Sequence, residues 1–103
     1  MNMKYVPKIW GSELWIINRE YCGKILTLNK GKSCSLHYHK QKHETFYILE
    51  GKIKLECGNK AIIMKKGDRK IIPKKMKHRF TGIKKSKILE ISTHHRDSDS
   101  YRI

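Results

Sequence analysis

Hydrophobic and polar residues alternate at a period of two along much of the chain, the pattern of half-buried β-strands. The clearest run is Lys52-Ile53-Lys54-Leu55-Glu56-Cys57, in which every second side chain is apolar. Further β-rich runs at 14–18, 24–28, 34–39, 45–49, 61–64, 69–72 and 87–93 bring the expectation to about eight or nine short strands. The glycines fall almost entirely between these runs, and Cys57-Gly58-Asn59-Lys60 predicts a tight hairpin loop. No segment keeps the i, i+3, i+4, i+7 apolar spacing for three turns, and β-branched Ile is frequent. An all-β sandwich or barrel follows. The polar ends, 1–8 and 97–103, are expected to form edge segments or partly ordered tails.

Length and composition narrow the class. A chain of 103 residues accommodates one core, so a single domain over 1–103 is expected. With 38% hydrophobic and 32% charged residues the chain is polar yet able to fold. No apolar run approaches the ~20 residues of a membrane span, and the first residues do not read as a signal peptide, so a cytoplasmic protein with no membrane partner is expected. Cys22, Cys34 and Cys57 are odd in number and lack CxxC spacing, which predicts free thiols. The net charge of +15 would favour polyanions, but the lysines occur singly or in pairs, with no block of five and no nucleic-acid module. Much of this charge is expected to be solvated surface without a partner; a partner that it would steer is a small anion, such as a sugar phosphate or nucleotide sugar, rather than nucleic acid.

The candidate chemistry lies in two stretches, 31–44 and 67–78. Residues two apart on a strand share a face, so His37 and His39 would aim both imidazoles into one space. Glu44 opens the next β-rich run after the polar turn 40–43, and a hairpin would return its carboxylate to the same space. His78 would arrive from a distant strand. Histidines with one carboxylate suit Zn²⁺, Mn²⁺, Fe²⁺, Co²⁺ or Ni²⁺ and leave coordination positions open for a substrate.

The run Gly31-x5-His37-x-His39-x4-Glu44-x6-Gly51 matches the first motif of the cupin superfamily. Gly67-x5-Pro73-x4-His78 resembles the second, with Lys75 in place of the usual Gly and Gly82 in place of the usual Asn. The resemblance implies a double-stranded β-helix jelly-roll barrel holding one divalent transition metal on His37, His39, Glu44 and His78. The flanks are similar to type II phosphomannose isomerase domains: Lys8-Ile9-Trp10-Gly11-Ser12-Glu13 to their opening, Leu89-Glu90-Ile91 to one of their strands, and Asp97 to Arg102 to their ending. Two departures stand out. His37 occupies a position where that family commonly has Gln, and the loop Thr93 to Arg96 is shorter.

That likeness implies a metal-dependent aldose-ketose isomerase acting on a sugar phosphate. Glu90 is the first candidate for the base, ahead of His95 and Tyr47, while Arg79, Arg102, Lys75 and Tyr47 are candidates for substrate contact. Two other classes compete. An Fe-dependent dioxygenase would have an apolar pocket lined by Phe46, Ile48, Met64, Ile72 and Phe80, and a non-catalytic sugar-binding module would bind without turnover. A homodimer is expected through Val6, Ile9, Trp10 and Trp15 at a sheet edge. His43, His94 and His95 are expected off the metal.

Overall fold

The computed structural model describes residues 2–103. Along the chain run β1 (Lys4–Lys8), β2 (Gly11–Asn18), β3 (Tyr21–Leu28), β4 (His37–His39), β5 (Glu44–Glu50), β6 (Lys52–Cys57), β7 (Lys60–Lys65), β8 (Arg69–Ile72), β9 (His78–Gly82) and β10 (Ser86–Thr93). A 3₁₀ turn at Asp97–Asp99 leads into β11 (Ser100–Arg102). Every ladder between these strands is antiparallel. They form a six-stranded sheet in the order β1-β2-β3-β10-β5-β8 and a five-stranded sheet in the order β11-β4-β9-β6-β7. The sheets pack face to face as the two-layered all-β structure that the alternation and turn spacing predict, in the jelly-roll form that the motif resemblance implies. No helix among the described residues is long and apolar enough to cross a membrane.

The inward faces explain where a site can form. Along β10 the inward residues change from Ile88 to Glu90 to Ser92; along β5, from Ile48 to Phe46 to Glu44; along β3, from Leu28 and Leu26 to Lys24 and Cys22. Register aligns these gradients, because Ile88 lies opposite both Leu26 and Ile48, Glu90 opposite Lys24 and Phe46, and Ser92 opposite Cys22 and Glu44. One end of the interior is therefore an apolar core, closed by Leu26, Leu28, Ile48, Ile53, Leu55 and Ile88. The other end collects buried polar groups that need partners.

Three parts of the chain differ from the expectation. The run expected at 34–39 is a strand only over His37–His39, since the preceding residues form a loop that bonds to β9 through Cys34 N to Phe80 O and Gly31 N to Gly82 O. β9 itself and β11 have no sequence signal, because short strands with one or no apolar inward residue are held by their neighbours rather than by pattern. The ends form edge strands, β1 and β11, the first of the two outcomes expected for them. Gly58-Asn59 forms the expected two-residue hairpin, with Gly58 at a φ of 61°.

Candidate metal centre

His37 and His39 leave β4 on one face, and His78 on β9 is the register partner of His37. The His37 ring lies 4.3 Å from that of His78 and 5.0 Å from that of His39, with 5.4 Å between His39 and His78. One ring nitrogen from each of the three falls within 4.8 Å of the others. The remaining nitrogens meet backbone carbonyls: His37 Nδ1 meets Ser35 O at 2.7 Å, His39 Nδ1 meets Asp99 O at 3.1 Å and His78 Nδ1 meets Met76 O at 2.9 Å. A carbonyl only accepts, so each Nδ1 carries the proton. Each Nε2 is left with its lone pair turned towards the common space, the tautomer a metal requires.

Glu44 opens β5 and places Oε1 3.2 Å from His78 Nε2 and 3.7 Å from His39 Nε2. Glu44 Oε2 is met by the Lys42 ammonium at 3.1 Å, whereas His78 Nε2, buried without a hydrogen bond, turns its lone pair on the Glu44 Oε1 acceptor. An unmet buried polar atom of this kind costs about 1–3 kcal/mol. Three imidazole nitrogens and the carboxylate oxygen that faces two of them fit a borderline divalent ion and match no all-oxygen site for Ca²⁺ or Mg²⁺.

The electrostatics keep the donors in their ligating forms. Burial, then His78 nearby, lowers the His37 pKa, while burial and Lys42 bring His39 down to about 4. Both rings are thus neutral near pH 7. Burial alone would raise the Glu44 pKa, but the Lys42 ammonium beside it outweighs that and holds the carboxylate well below its usual range. Lys42 is 3% exposed and lies 3.1 Å from Glu44 Oε2, 3.2 Å from Glu90 Oε2 and 2.9 Å from His95 Nδ1. Glu90 responds in the opposite sense. Burial and the Glu44 charge raise its pKa against the pull of Lys42 and Lys24.

His37, His39, Lys42, Glu44 and Glu90 line a cavity of about 500 Å³, with His78 fully buried behind them. Glu90, His95 and Arg102 of the expected site residues face it, Arg102 standing on β11 opposite His37. The other three do not. Arg79 points outward and is held by Glu56 through a forked pair, Nε to Oε2 at 2.8 Å and Nη2 to Oε1 at 3.1 Å. Tyr47 alternates with the inward Phe46 and Ile48, so the pleat turns it to the outer face of β5. Lys75 sits in the turn before β9 and contributes its backbone N–H, which donates to His39 O at 2.6 Å. Of the five residues expected to make an apolar pocket, Phe46 and Phe80 reach the cavity.

Sequence reasoning missed three supports. Asp99 accepts from the backbone N–H groups of Lys40, Gln41 and Lys42 at 2.9 to 3.2 Å, which clamps the turn between β4 and β5, and its carbonyl holds His39. Lys42 reads in sequence as one more surface lysine, yet it is the cation between Glu44 and Glu90. Lys24, 1% exposed, lies 4.1 Å over the Trp15 ring and 3.5 Å from Glu13. The outward-inward alternation of β3 was the available signal for Lys24; nothing local marks the other two. The expected interface tryptophans are also internal: Trp10 meets Phe80 edge-on at 5.2 Å, and Trp15 donates to Glu13 at 2.8 Å and meets His95 at 5.1 Å.

Comparison with known proteins agrees with this geometry. No curated protein sequence matches the chain. Among solved structures, KdgF from Halomonas sp. superposes with a TM-score of 0.83 at 14% identity, covering 95% of this chain and 92% of that one. Pac13, a nucleoside dehydratase studied from Streptomyces, gives 0.85 at 10% identity over 98% and 84% of the two chains. A Bacillus subtilis oxalate decarboxylase, a protein with Mn(II) centres, gives 0.85 at 16% identity over 99% of this chain and 30% of its own. At these identities the structures share the fold. The sequence pattern described as Cupin domain matches residues 24–92, which contain all four candidate ligands, and on that match the chain belongs to the cupin domain family.

Proposed function

We propose that the chain is a metal-dependent enzyme that moves a proton on a small anionic sugar, with aldose-ketose isomerisation of a sugar phosphate as its reaction. The observation that carries this reading is the pair Glu44 and Glu90, two buried carboxyls in one cavity whose affinities for a proton are pushed in opposite directions. Such a pair divides the work: one group stays ionised as a ligand and the other, with its proton affinity raised, takes up and returns a proton. A bound transition ion would supply the Lewis acid that polarises a carbonyl and its neighbouring hydroxyl. Glu90 takes the proton from the hydroxyl-bearing carbon and returns it to the carbonyl carbon, while the hydroxyl proton passes to the former carbonyl oxygen. Lys42 and Ser92 hold Glu90 Oε2, both at 3.2 Å, and so fix the rotation of that carboxyl. Arg102, at the cavity wall beside His37, offers the planar fork that reads a phosphate or carboxylate.

The lining is charged rather than the apolar pocket expected for the dioxygenase reading. Lys8, Lys24, Lys42 and Arg102 line the cavity together with Glu13, Glu44, Glu90 and Asp97, an environment suited to a polar substrate. The test begins with elemental mass spectrometry on untagged protein, followed by assay of phosphorylated aldoses with the metal found. We expect about one equivalent of transition metal, lost in the His39→Ala, His78→Ala double variant. Glu90→Gln should keep the metal and lose about 100-fold or more in turnover, and oxygen should make no difference. Wild type that neither carries nor takes up such an ion overturns the metalloenzyme reading. Metal-loaded wild type with no turnover of any phosphorylated sugar overturns the isomerase.

A further inference from the structure

Lysines that are scattered along the sequence are gathered by strand pairing onto the outer side of the five-stranded sheet. Every outward residue of β6 is charged, and its ladders set Lys52 opposite Lys65 of β7, Lys54 opposite Thr81 of β9 and Glu56 opposite Arg79. Lys77 precedes β9, and Lys40 follows β4 with its ammonium 4.4 Å over the Tyr101 ring. Lys40, Lys52, Lys54, Lys65 and Lys77 are all exposed. The ion pairs among the described residues engage Lys8, Lys24, Lys42, Lys87 and Arg79, and none of these five. Of the nine acidic residues four line the cavity, and Glu56 is the one that the five strands present outward. Arg79 already holds it.

Two further features point to an occupant. Like charges directly opposite on neighbouring strands cost stability, and the unpaired Lys52 and Lys65 stand in that position, where a bound anion would recover the cost. At the other end of the face, Tyr38 and Tyr101 are register partners on the outer side of β4 and β11, stacked at 5.2 Å with 20° between their rings. We propose that this face binds single-stranded nucleic acid, its lysines meeting phosphates and the tyrosine pair offering a ring to a base. Outward residues on one strand recur every ~7 Å, a step that suits successive phosphates of an extended strand, and five strands span roughly 19 Å, room for a few nucleotides. A duplex is read by a helix or ribbon that enters a groove, whereas this surface is a broad sheet. A lipid surface calls for apolar side chains to insert, and Ile63 is the large aliphatic one exposed on these strands. None of the five lysines lines the 500 Å³ cavity, so the surface stands apart from the metal centre.

The test is fluorescence anisotropy of the full chain with a labelled oligouridine of about 16 nucleotides at ~50 mM NaCl. The wild type should bind, with log K falling against log[NaCl] at a slope of about −3, as for four or five phosphates at about 0.7 each. Lys52→Gln with Lys65→Gln should weaken binding at least ~10-fold and flatten that slope by about 1.4. Lys4→Gln with Lys87→Gln removes the same net charge from the other sheet and should change affinity less than about threefold. Tyr38→Leu should cost about 10-fold for the oligonucleotide and nothing for inorganic polyphosphate, which has phosphates but no bases. Retained polyphosphate binding also shows that this variant folds. A wild type that does not bind overturns the proposal, and so does an equal loss in the two double variants, which would mean diffuse attraction to the +15 charge. Tyr38→Leu without effect on the oligonucleotide overturns it as well. So does displacement of the oligonucleotide by phosphatidylserine and phosphatidylcholine vesicles of equal anionic charge.

Discussion

Asp99 ties the metal centre to the C-terminal segment through its side chain and its carbonyl together. Its carboxylate gathers three consecutive N–H groups of the turn that carries Lys42, while its backbone oxygen fixes the tautomer and direction of His39. Asp99→Ala should lower affinity for Zn²⁺ or Co²⁺ by about 10–100-fold, read by competition with a chelating dye. Asp99→Asn, which keeps an acceptor, should lose less. The buried imidazoles also set a pH limit. His39 and His95 are both brought down to about 4, by burial and then Lys42, from an ordinary value of 6.5. Above pH 6.5 the rings are neutral in both folded and unfolded chains; below it the unfolded chain takes up protons that the folded one refuses until about 4. Metal-free protein should therefore lose stability as pH falls through this window, on the order of 2–3 kcal/mol per ring, seen as a falling urea midpoint.

Among the elements, the turns before β6 and β9 show why the two motifs carry the residues they do. Gly51, which ends the first motif, has a φ of 91°, and a Cβ there would collide with Ser86 Oγ and with Lys85 O at 2.5 Å. Lys75 stands where the second motif usually has Gly and, among the described residues, is the non-glycine residue with positive φ, at 68°. Its departure from the motif thus changes turn strain and leaves the ligands in place. Lys75→Gly should stabilise the protein by about 0.5–1 kcal/mol, and Gly51→Ala should destabilise it by ~2 kcal/mol or more, both measurable by chemical denaturation. β9 illustrates the limit of pattern. It supplies His78 and Phe80 to the interior, but its register comes from Cys57 opposite His78 and Leu55 opposite Phe80 on β6.

For the molecule as a whole, charge is distributed unevenly between inside and outside. The cavity carries four basic and four acidic side chains, so the excess of +15 resides on the outer surface. There it repels itself, and the compact state concentrates it. The melting temperature should rise by several degrees between low salt and ~0.5 M NaCl, where the Debye length falls below ~5 Å. A melting temperature that falls with salt would mean that surface attractions dominate instead.

Period-two alternation, turn residues and motif spacing determined the fold class and the four candidate ligands, because strand periodicity and the position of a glycine turn are local properties of the chain. The same locality explains what was out of reach. Lys42 and Lys24 look like their surface counterparts until register sets them against Glu90 and Glu13, and Arg79 and Tyr47 look like site residues until the pleat turns them outward. Only the tertiary structure decides which charges are buried together, since burial is a relation between strands far apart in sequence, and on that relation rest the opposed carboxyls of the cavity.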